Sequence, residues 1–204
     1  MPLKIELLEF HSLNKTTLDK IHLMMSESFQ GHFTSLLTQK QLKSYFSDLY
    51  LGNQNAKIHL ATQDSHVIGF AILGNEISLV KTFYKFKNLA DLFLLLAKLF
   101  MNPNILFSSL HNFINRESQN KNKNIKKSNS IYLAYICTDK NYHSKGKGSM
   151  LMKSVKDNLK DTKLKYLYCH MDSTDEVVNN FYIKNGWVVD SPKSKRSLAW
   201  FNLS

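Results

Sequence analysis

The sequence predicts a mixed α/β (α+β) fold in a single domain over residues 1–204, and three observations support this prediction. Patterns typical of strands and of amphipathic helices alternate along the chain. The length of 204 residues is enough for one substantial hydrophobic core. Aromatic residues make up 12% of the chain, which has only seven glycines and three prolines, so we expect a globular protein and not a disordered one.

The N-terminal part of the chain predicts one strand, two helices and a hairpin. Residues 1–6 alternate like a strand and lack the long apolar stretch of a signal peptide. Two helical faces follow, the first marked by Leu18, Ile21, Met25 and Phe29, and the second, within 39–50, by Leu42, Tyr45, Phe46 and Leu49. Residues 56–62 and 66–73 then predict a hairpin around 63–65.

Residues 81–130 interrupt this order of elements. An apolar helix is predicted over 89–101 and a second over 105–114, with a proline turn between them. The first helix is too short to span a bilayer and is interrupted by one Asp and one Lys. The polar, lysine-rich residues 115–130 predict a loop.

A strand pattern late in the chain runs into a basic turn that contains glycine. Residues 131–138 are rich in β-branched and aromatic side chains, and a helical pattern follows Gly148. The turn at 143–148 therefore opens a helix, whose first N–H groups lack partners and carry partial positive charge. Glycines allow a close approach of an anion, and Lys145 and Lys147 add full charges. A pyrophosphate would suit this turn, and an ordinary strand–helix connection with two solvated lysines is the alternative.

Two common phosphate-binding motifs are excluded at this turn. A Walker loop requires Ser or Thr after its lysine, but Lys147 is followed by Gly148. A Rossmann motif is disfavoured because the strand lies late in the chain and the three-glycine pattern is incomplete.

A second segment, 181–187, has the sequence Phe-Tyr-Ile-Lys-Asn-Gly-Trp. It predicts the end of a short helix that begins near 176 and is terminated by Asn185 and Gly186. A strand is predicted before this helix, over 164–171, and further strands are predicted from Trp187 and over 197–203.

Together the two segments resemble the cofactor-side motifs of the GNAT family of N-acetyltransferases. The first family motif is Gln/Arg-x-x-Gly-x-Gly/Ala, which appears here as His143-x-x-Gly146-x-Gly148 with a changed first residue. The second is aromatic-Tyr-x-Lys/Arg-x-Gly-aromatic, which 181–187 matches. The resemblance implies a GNAT-like mixed, mostly antiparallel central sheet flanked by helices, with 81–130 as a helical insertion between the third and fourth strands.

The resemblance also implies acetyl-CoA as cosubstrate and no metal. In the family, backbone N–H groups of the turn hold the pyrophosphate, and the preceding strand pairs with the pantetheine arm. A further position, often Asn in the family and Asp175 here, contacts that arm. The implied cofactor-binding residues are Ile136, Cys137, Thr138, His143, Ser144, Lys145, Gly146, Lys147, Gly148, Ser149, Asp175 and Tyr182.

Two residues are the catalytic candidates. The resemblance implies that Tyr182 protonates the departing thiolate, which suits a hydroxyl whose ordinary pKa lies near 10. The alternative is a core aromatic residue beside Phe181. His170, at the end of the strand 164–171, is a candidate base for the incoming amine, because imidazole titrates near neutral pH. The alternative is a strand-end histidine with no catalytic role.

The sequence therefore predicts transfer of an acetyl group from acetyl-CoA directly to a primary amine, such as a small amine, an amino sugar or a protein amine. One alternative is a catalytically inactive CoA-binding or interaction module of the same fold. The other is a membrane-surface acyltransferase, because Lys81, Lys85, Lys87 and Lys98 flank or punctuate the apolar run. The helices of 81–130 are otherwise expected to cover the acceptor side or to form a homodimer contact.

Composition restricts the partners and the compartment. The net charge of +11 favours attraction of anionic CoA or of an anionic acceptor, but no nucleic-acid-binding motif accompanies it, so nucleic acid is not expected. The two cysteines, Cys137 and Cys169, fall on strand patterns and are expected to be buried apolar residues instead of a disulfide or a metal pair. A reducing, cytoplasmic location is expected.

Overall fold

The structure, a computed structural model, describes residues 3–8, 13–30, 32–42, 57–74, 89–107, 129–190 and 196–203. The strands are β1 (Lys4–Leu8), β2 (Lys57–Gln63), β3 (His66–Gly74), β4 (Ser130–Thr138), β5 (Tyr166–Asp172), β6 (Val188–Val189) and β7 (Arg196–Asn202). The helices are α1 (Lys15–Ser28), α2 (Leu89–Met101), α3 (Lys147–Leu159) and α4 (Glu176–Lys184). Short 3₁₀ helices cover Phe33–Leu36 and Lys140–Tyr142. Residues 39–42 and 103–107 are also helical.

The seven strands described form one sheet in the order β1-β2-β3-β4-β5-β7-β6. The β4–β5 pair is parallel, and every other neighbouring pair is antiparallel. The predicted mixed, mostly antiparallel sheet with flanking helices is therefore confirmed. Two compact units can be distinguished. The first contains the sheet, α3 and α4 and consists of Met1–Leu8, Asn55–Asn75 and Lys123–Ser204. The second contains α1 and α2 and consists of Glu9–Gln54 and Glu76–Asn122.

The core of the first unit lies between one face of the sheet and helices α3 and α4. Helix α3 buries the apolar stripe that its sequence predicts, namely Leu151, Met152, Val155 and Leu159. These residues join a cluster with alternate strand residues such as Leu133, Leu167 and Cys169. Because successive strand residues point to opposite faces, the intervening residues of β5 lie on the other face of the sheet.

The hairpin between β2 and β3 turns at Asp64 and Ser65, as the sequence predicts. Both residues have positive φ, 53° and 64°. Along the edge of β3 that pairs with β4, Gly69 allows a close approach of the two strands. A Cβ at Gly69 would lie only 2.9 Å from the Cys137 carbonyl oxygen.

The second unit begins with helix α1, which is capped by Asn14. The Asn14 side chain accepts a hydrogen bond of 2.8 Å from the Thr17 N–H. The buried residues of α1 include Leu18, Ile21 and Met25, as predicted, whereas Phe29 lies at the C-terminal cap.

Helix α2 has the bounds that the apolar run 89–101 predicts. A helical segment starts already at Pro103, where a turn was expected, because proline is well accommodated at the first position of a helix. The parts of the predicted helices beyond 42 and beyond 107, and most of the predicted loop 115–130, lie outside the described residues. In the described segments, no helix is long and apolar enough to cross a membrane.

Candidate functional site

Strands β4 and β5 pair for only a short distance and then separate. Their ladder consists of three pairs, from Ser130–Tyr166 to Tyr132–Tyr168. Beyond that point β4 continues to Thr138 and β5 to Asp172, and no β4–β5 pair is formed. The separation leaves an opening in the parallel ladder at the carboxyl ends of the two strands. Such an opening can accept an extended guest whose main chain pairs with a strand.

A β-bulge in β4 lies at the start of this opening. Ile72 of β3 pairs with Tyr135, but the next residue, Leu73, pairs with Leu133, so Ala134 is the additional residue. A bulge bends its strand and increases the local twist. It therefore accounts for a change in the direction of β4 just after Tyr132, where the ladder with β5 ends.

The predicted anion-binding turn connects the end of β4 with the start of α3. Gly146 is the N-terminal cap of α3, with a φ of 73°, and no side chain caps the helix there. Ser144 also has a positive φ, 59°. The first helical hydrogen bond runs from Met150 N–H to the Gly146 carbonyl, at 3.0 Å. The N–H groups of 147–149 therefore lie at the positive end of the helix, as an anion site requires.

Side chains fasten this turn to β4. His143 donates from Nε2 to the Thr138 carbonyl oxygen at 2.9 Å. Lys145 donates from Nζ to the Asn141 carbonyl at 2.8 Å and lies over the Tyr142 ring, 5.7 Å from its centroid. The ring of His143, which the resemblance implies to be a cofactor-binding residue, thus holds the turn against the end of the strand.

Helices α3 and α4 approach each other closely at Gly148. A Cβ at Gly148 would lie 3.2 Å from Cε2 of Phe181 and 3.9 Å from Cγ2 of Thr138. Asn185, at the end of α4, donates to the Ser149 hydroxyl at 3.2 Å and to the Phe181 carbonyl at 2.8 Å. The turn, the end of β4 and the aromatic helix therefore lie together.

Tyr182 is buried in this region, with 7% of its surface exposed. Its ring contacts those of Trp187 and Phe181 at centroid distances of 4.9 and 5.4 Å. Its hydroxyl forms a hydrogen bond with the Cys169 thiol. Burial raises the pKa of Tyr182 well above its usual value, and Cys169 and Tyr132 raise it further. The hydroxyl is therefore protonated at neutral pH and remains so into the alkaline range.

His170 lies on the opposite face of the sheet from Cys169, its neighbour in β5. Cys169 belongs to the cluster that contains Tyr182. His170 instead lies against Tyr132 and Tyr168, with ring centroids 6.1 and 6.5 Å away. The two catalytic candidates thus flank the end of β5 from opposite faces.

A family model described as the acetyltransferase (GNAT) family matches residues 19–187. The chain belongs to this family. The predicted resemblance is therefore confirmed, and the match includes both motifs on which it depended.

Solved structures of the same fold are distant in sequence from this GNAT protein. One is yncA from Salmonella typhimurium with acetyl-CoA, with a TM-score of 0.62, 8% identity and coverage of 100% of this chain and 95% of that one. An N-acetyltransferase from Staphylococcus aureus has a TM-score of 0.59, 12% identity and full coverage of both chains. PaiA N-acetyltransferase from Thermoplasma acidophilum, in complex with coenzyme A, has a TM-score of 0.56, 14% identity and 99% coverage of both. No curated protein matches the chain significantly.

Three residues of this GNAT protein make contacts that the sequence analysis did not assign. Asp175 caps α4 by accepting a hydrogen bond of 3.0 Å from the Val178 N–H. An Asp three residues before that N–H is a standard N-cap signal and could have been recognised. Asn185 joins α4 to Ser149 of α3, a contact that no local pattern reveals. Lys156 of α3 also donates to the Asn185 carbonyl, at 2.9 Å.

The raised pKa of Tyr182 predicts an alkaline loss of stability. The hydroxyl ionises more readily in the unfolded chain, at about pH 10, than in the folded one, so its contribution is complete below that pH and is lost above it. In urea unfolding at several pH values, Tyr182→Phe should show a smaller decrease in the free energy of unfolding above about pH 10 than the wild type does. Tyr166→Phe is the control and should retain the wild-type dependence. Equal dependence in all three proteins would contradict the prediction.

Proposed function

We propose that this GNAT protein transfers the acetyl group of acetyl-CoA directly to a primary amine. The observation that carries the proposal is the uncapped N-terminus of α3 beside the opening between β4 and β5. These two features are suited to the two parts of a CoA molecule, an anionic pyrophosphate and an extended arm with two amide groups. Membership of an acetyltransferase family supports the same activity.

The turn is suited to the pyrophosphate through backbone and charge. The N–H groups of Lys147, Gly148 and Ser149 are available at the start of α3, and Gly146 adopts a left-handed conformation that favours glycine. The Lys147 side chain adds a positive charge. Before Gly146, Ser144 adopts a positive φ and Lys145 donates a hydrogen bond to the Asn141 carbonyl. The His143 ring fixes the turn to the Thr138 carbonyl.

The end of β4 is suited to the pantetheine arm. Ile136, Cys137 and Thr138 lie where β4 has left β5, so their main chain can pair with the amides of the arm in the manner of an added strand. This pairing would direct the thioester into the opening, between Tyr182 and His170. Asp175, at the start of α4, remains a proposed contact for the arm beside its role as helix cap.

The reaction needs an acid and a base at different positions. The amine nitrogen forms a bond to the thioester carbon, the carbon–sulfur bond breaks, and the sulfur takes a proton. The nitrogen of the new amide gives up a proton in the same step, which restores the proton on the acid that served the sulfur. We assign the proton for the sulfur to the Tyr182 hydroxyl, which is protonated at neutral pH and, with its raised pKa, stays so into the alkaline range. The ammonium form of the acceptor must first lose a proton, which we assign to His170 directly or through water. Because Tyr182 and His170 flank β5 from opposite faces, the proton of the acceptor would leave on one side of β5 and the proton for the sulfur would arrive on the other.

Binding of acetyl-CoA is the first test. Acetyl-CoA and CoA should each raise the Tm by several degrees, since ligand at about 100 times Kd adds about 2.7 kcal/mol to the free energy of unfolding. ATP and NAD should not. Gly146→Ala should weaken binding because its φ of 73° strains any residue with a Cβ, whereas Gly74→Ala, with nothing within 4 Å of the new Cβ, should bind normally. No Tm shift with either CoA compound would remove the proposal.

Replacement of Tyr182 tests the acid. Tyr182→Phe should lower the rate of acetyl transfer in single turnover by about 10²-fold while acetyl-CoA still binds, because the ring remains and only the proton donor is lost. Tyr166→Phe is the matched control and should keep the wild-type rate. The acceptor for this assay would come from a panel of peptide N-termini, lysine, polyamines and amino sugars. An unchanged rate would show that Tyr182 is a core residue only. Normal CoA binding without transfer to any amine would favour the inactive binding module.

Replacement of His170 tests the base. An imidazole must be neutral to accept a proton, so wild-type kcat/KM should fall as the pH decreases through the pKa of the base. His170→Gln should be slower by about 10-fold or more at neutral pH and should lose this acid limb. A His170→Gln profile with the acid limb intact would assign that limb to another group and return His170 to a structural role.

A further inference from the structure

The side chain of Asn185, at the end of α4, reaches to the start of α3. Its amide nitrogen Nδ2 lies 2.8 Å from the Phe181 carbonyl oxygen and 3.2 Å from the Ser149 hydroxyl oxygen. Asn185 is the C-terminal cap of α4, and Ser149 lies in the first turn of α3. Asn185 is half-buried, whereas Ser149 is exposed. One amide group therefore contacts both the helix that carries Tyr182 and the proposed pyrophosphate turn.

The contact with Phe181 determines how the Asn185 amide is turned. A carbonyl oxygen can only accept a hydrogen bond, so the amide atom that faces Phe181 must be the nitrogen. The same nitrogen faces Ser149, and an amide nitrogen donates two hydrogens and accepts none. The Ser149 oxygen is therefore the acceptor in its contact with Asn185.

This direction of the hydrogen bond leaves the hydrogen of the Ser149 hydroxyl for another acceptor. A hydroxyl group has one hydrogen and two lone pairs, and the contact with Asn185 uses a lone pair. The hydroxyl hydrogen is thereby directed away from the amide. At the start of α3, the N–H groups of 147–149 also lack helical partners. An anion bound there can therefore accept the Ser149 O–H in addition to backbone N–H groups.

Further contacts hold Asn185 in its position. Lys156 of α3 donates from Nζ to the Asn185 carbonyl at 2.9 Å, and its ammonium lies 4.3 Å from the centroid of the Phe201 ring in β7. The Asn185 N–H bonds to the carbonyls of Phe181 and Tyr182 at 3.2 and 3.0 Å. The amide is thus oriented before a ligand binds, and such preorganisation lowers the entropic cost of binding.

We propose that Asn185 is a positioning residue for the pyrophosphate of CoA: its amide turns the Ser149 hydroxyl so that this hydroxyl donates its hydrogen to a pyrophosphate oxygen. The proposal rests on the proposed use of acetyl-CoA. Asn185 stands between Lys184 and Gly186, at a position where the family motif accepts any residue. Because Asn185 also ends the helix of Tyr182, one side chain links the pyrophosphate turn to the proposed acid.

Isothermal titration of the full chain with CoA tests the proposal. Ser149→Ala should raise the Kd about tenfold, because a hydrogen bond to a charged group is lost. Asn185→Ala should raise it about fivefold, because the hydroxyl is no longer directed. Asn185→Asp should raise it at least about tenfold, since a carboxylate would accept the hydroxyl hydrogen and repel the anion.

Asn158→Ala is the matched control. The Asn158 amide also donates to the carbonyl four residues earlier, that of Ser154, at 3.0 Å, as Asn185 does to Phe181. Asn158 is exposed in the last turn of α3, at the opposite end of the helix from Ser149. Its replacement removes an equivalent side-chain bond and should leave the Kd for CoA at the wild-type value.

A double variant separates the orientation of the hydroxyl from the stability of the helix end. If Asn185 acts through Ser149, adding Asn185→Ala to Ser149→Ala should change the Kd by less than about twofold. A wild-type Kd in Asn185→Ala alone would overturn the proposal. An equal loss of affinity with and without the Ser149 hydroxyl would also overturn it and leave Asn185 as a helix cap only. Failure of the wild type to bind CoA would overturn the proposed function as well, so the wild-type titration distinguishes the two failures.

Discussion

The early end of the β4–β5 ladder is the constraint on which the candidate site depends. After three residue pairs the strands separate, although both continue for several residues. Antiparallel pairing holds β4 against β3 on one side and β5 against β7 on the other, so the separation does not dissolve the sheet. The additional residue Ala134 lets β4 change direction without losing its pairing with β3. A gap inside a sheet is thus stabilised by the strands that flank it.

The elements around the gap are tied to one another by a few close contacts. The turn before α3 is fastened to β4 through His143 and Thr138. Helix α3 meets α4 where Gly148 faces Phe181, and a larger residue at Gly148 would displace that ring. Because Tyr182 follows Phe181, the same contact sets the position of the tyrosine. The predicted pyrophosphate turn and the predicted acid are therefore positioned by one packing arrangement.

Burial has opposite consequences in the two units. In the first it encloses Tyr182 and raises the pKa of its hydroxyl well above the usual value, so the hydroxyl stays protonated further into the alkaline range than that of an exposed tyrosine. In the second it is incomplete, because α2 has more apolar surface than the unit covers. One chain thus combines a closed apolar region around Tyr182 with an apolar helix face that stays exposed.

The sequence alone determined the order and type of most elements, the turn before α3, and the aromatic-tyrosine motif that ends at Gly186. These features depend on local patterns: the apolar period of Leu151, Met152, Val155 and Leu159 specifies a helix wherever it packs, and a glycine with positive φ ends a helix in many contexts. Motif spacing was sufficient to indicate the family. It also named Tyr182 and His170, but not their relation to each other.

Only the tertiary structure decided which groups meet. The bulge at Ala134 and the point where β4 leaves β5 depend on the pairing of strands distant in sequence, which no local period encodes. The same pairing put Cys169 and His170 on opposite faces, and so put Tyr182 and His170 on different sides of β5. The hydrogen bond from the Asn185 side chain to the Ser149 hydroxyl joins residues that are 36 positions apart in the sequence. Such contacts follow from how the elements pack, because register and orientation are set by the whole core.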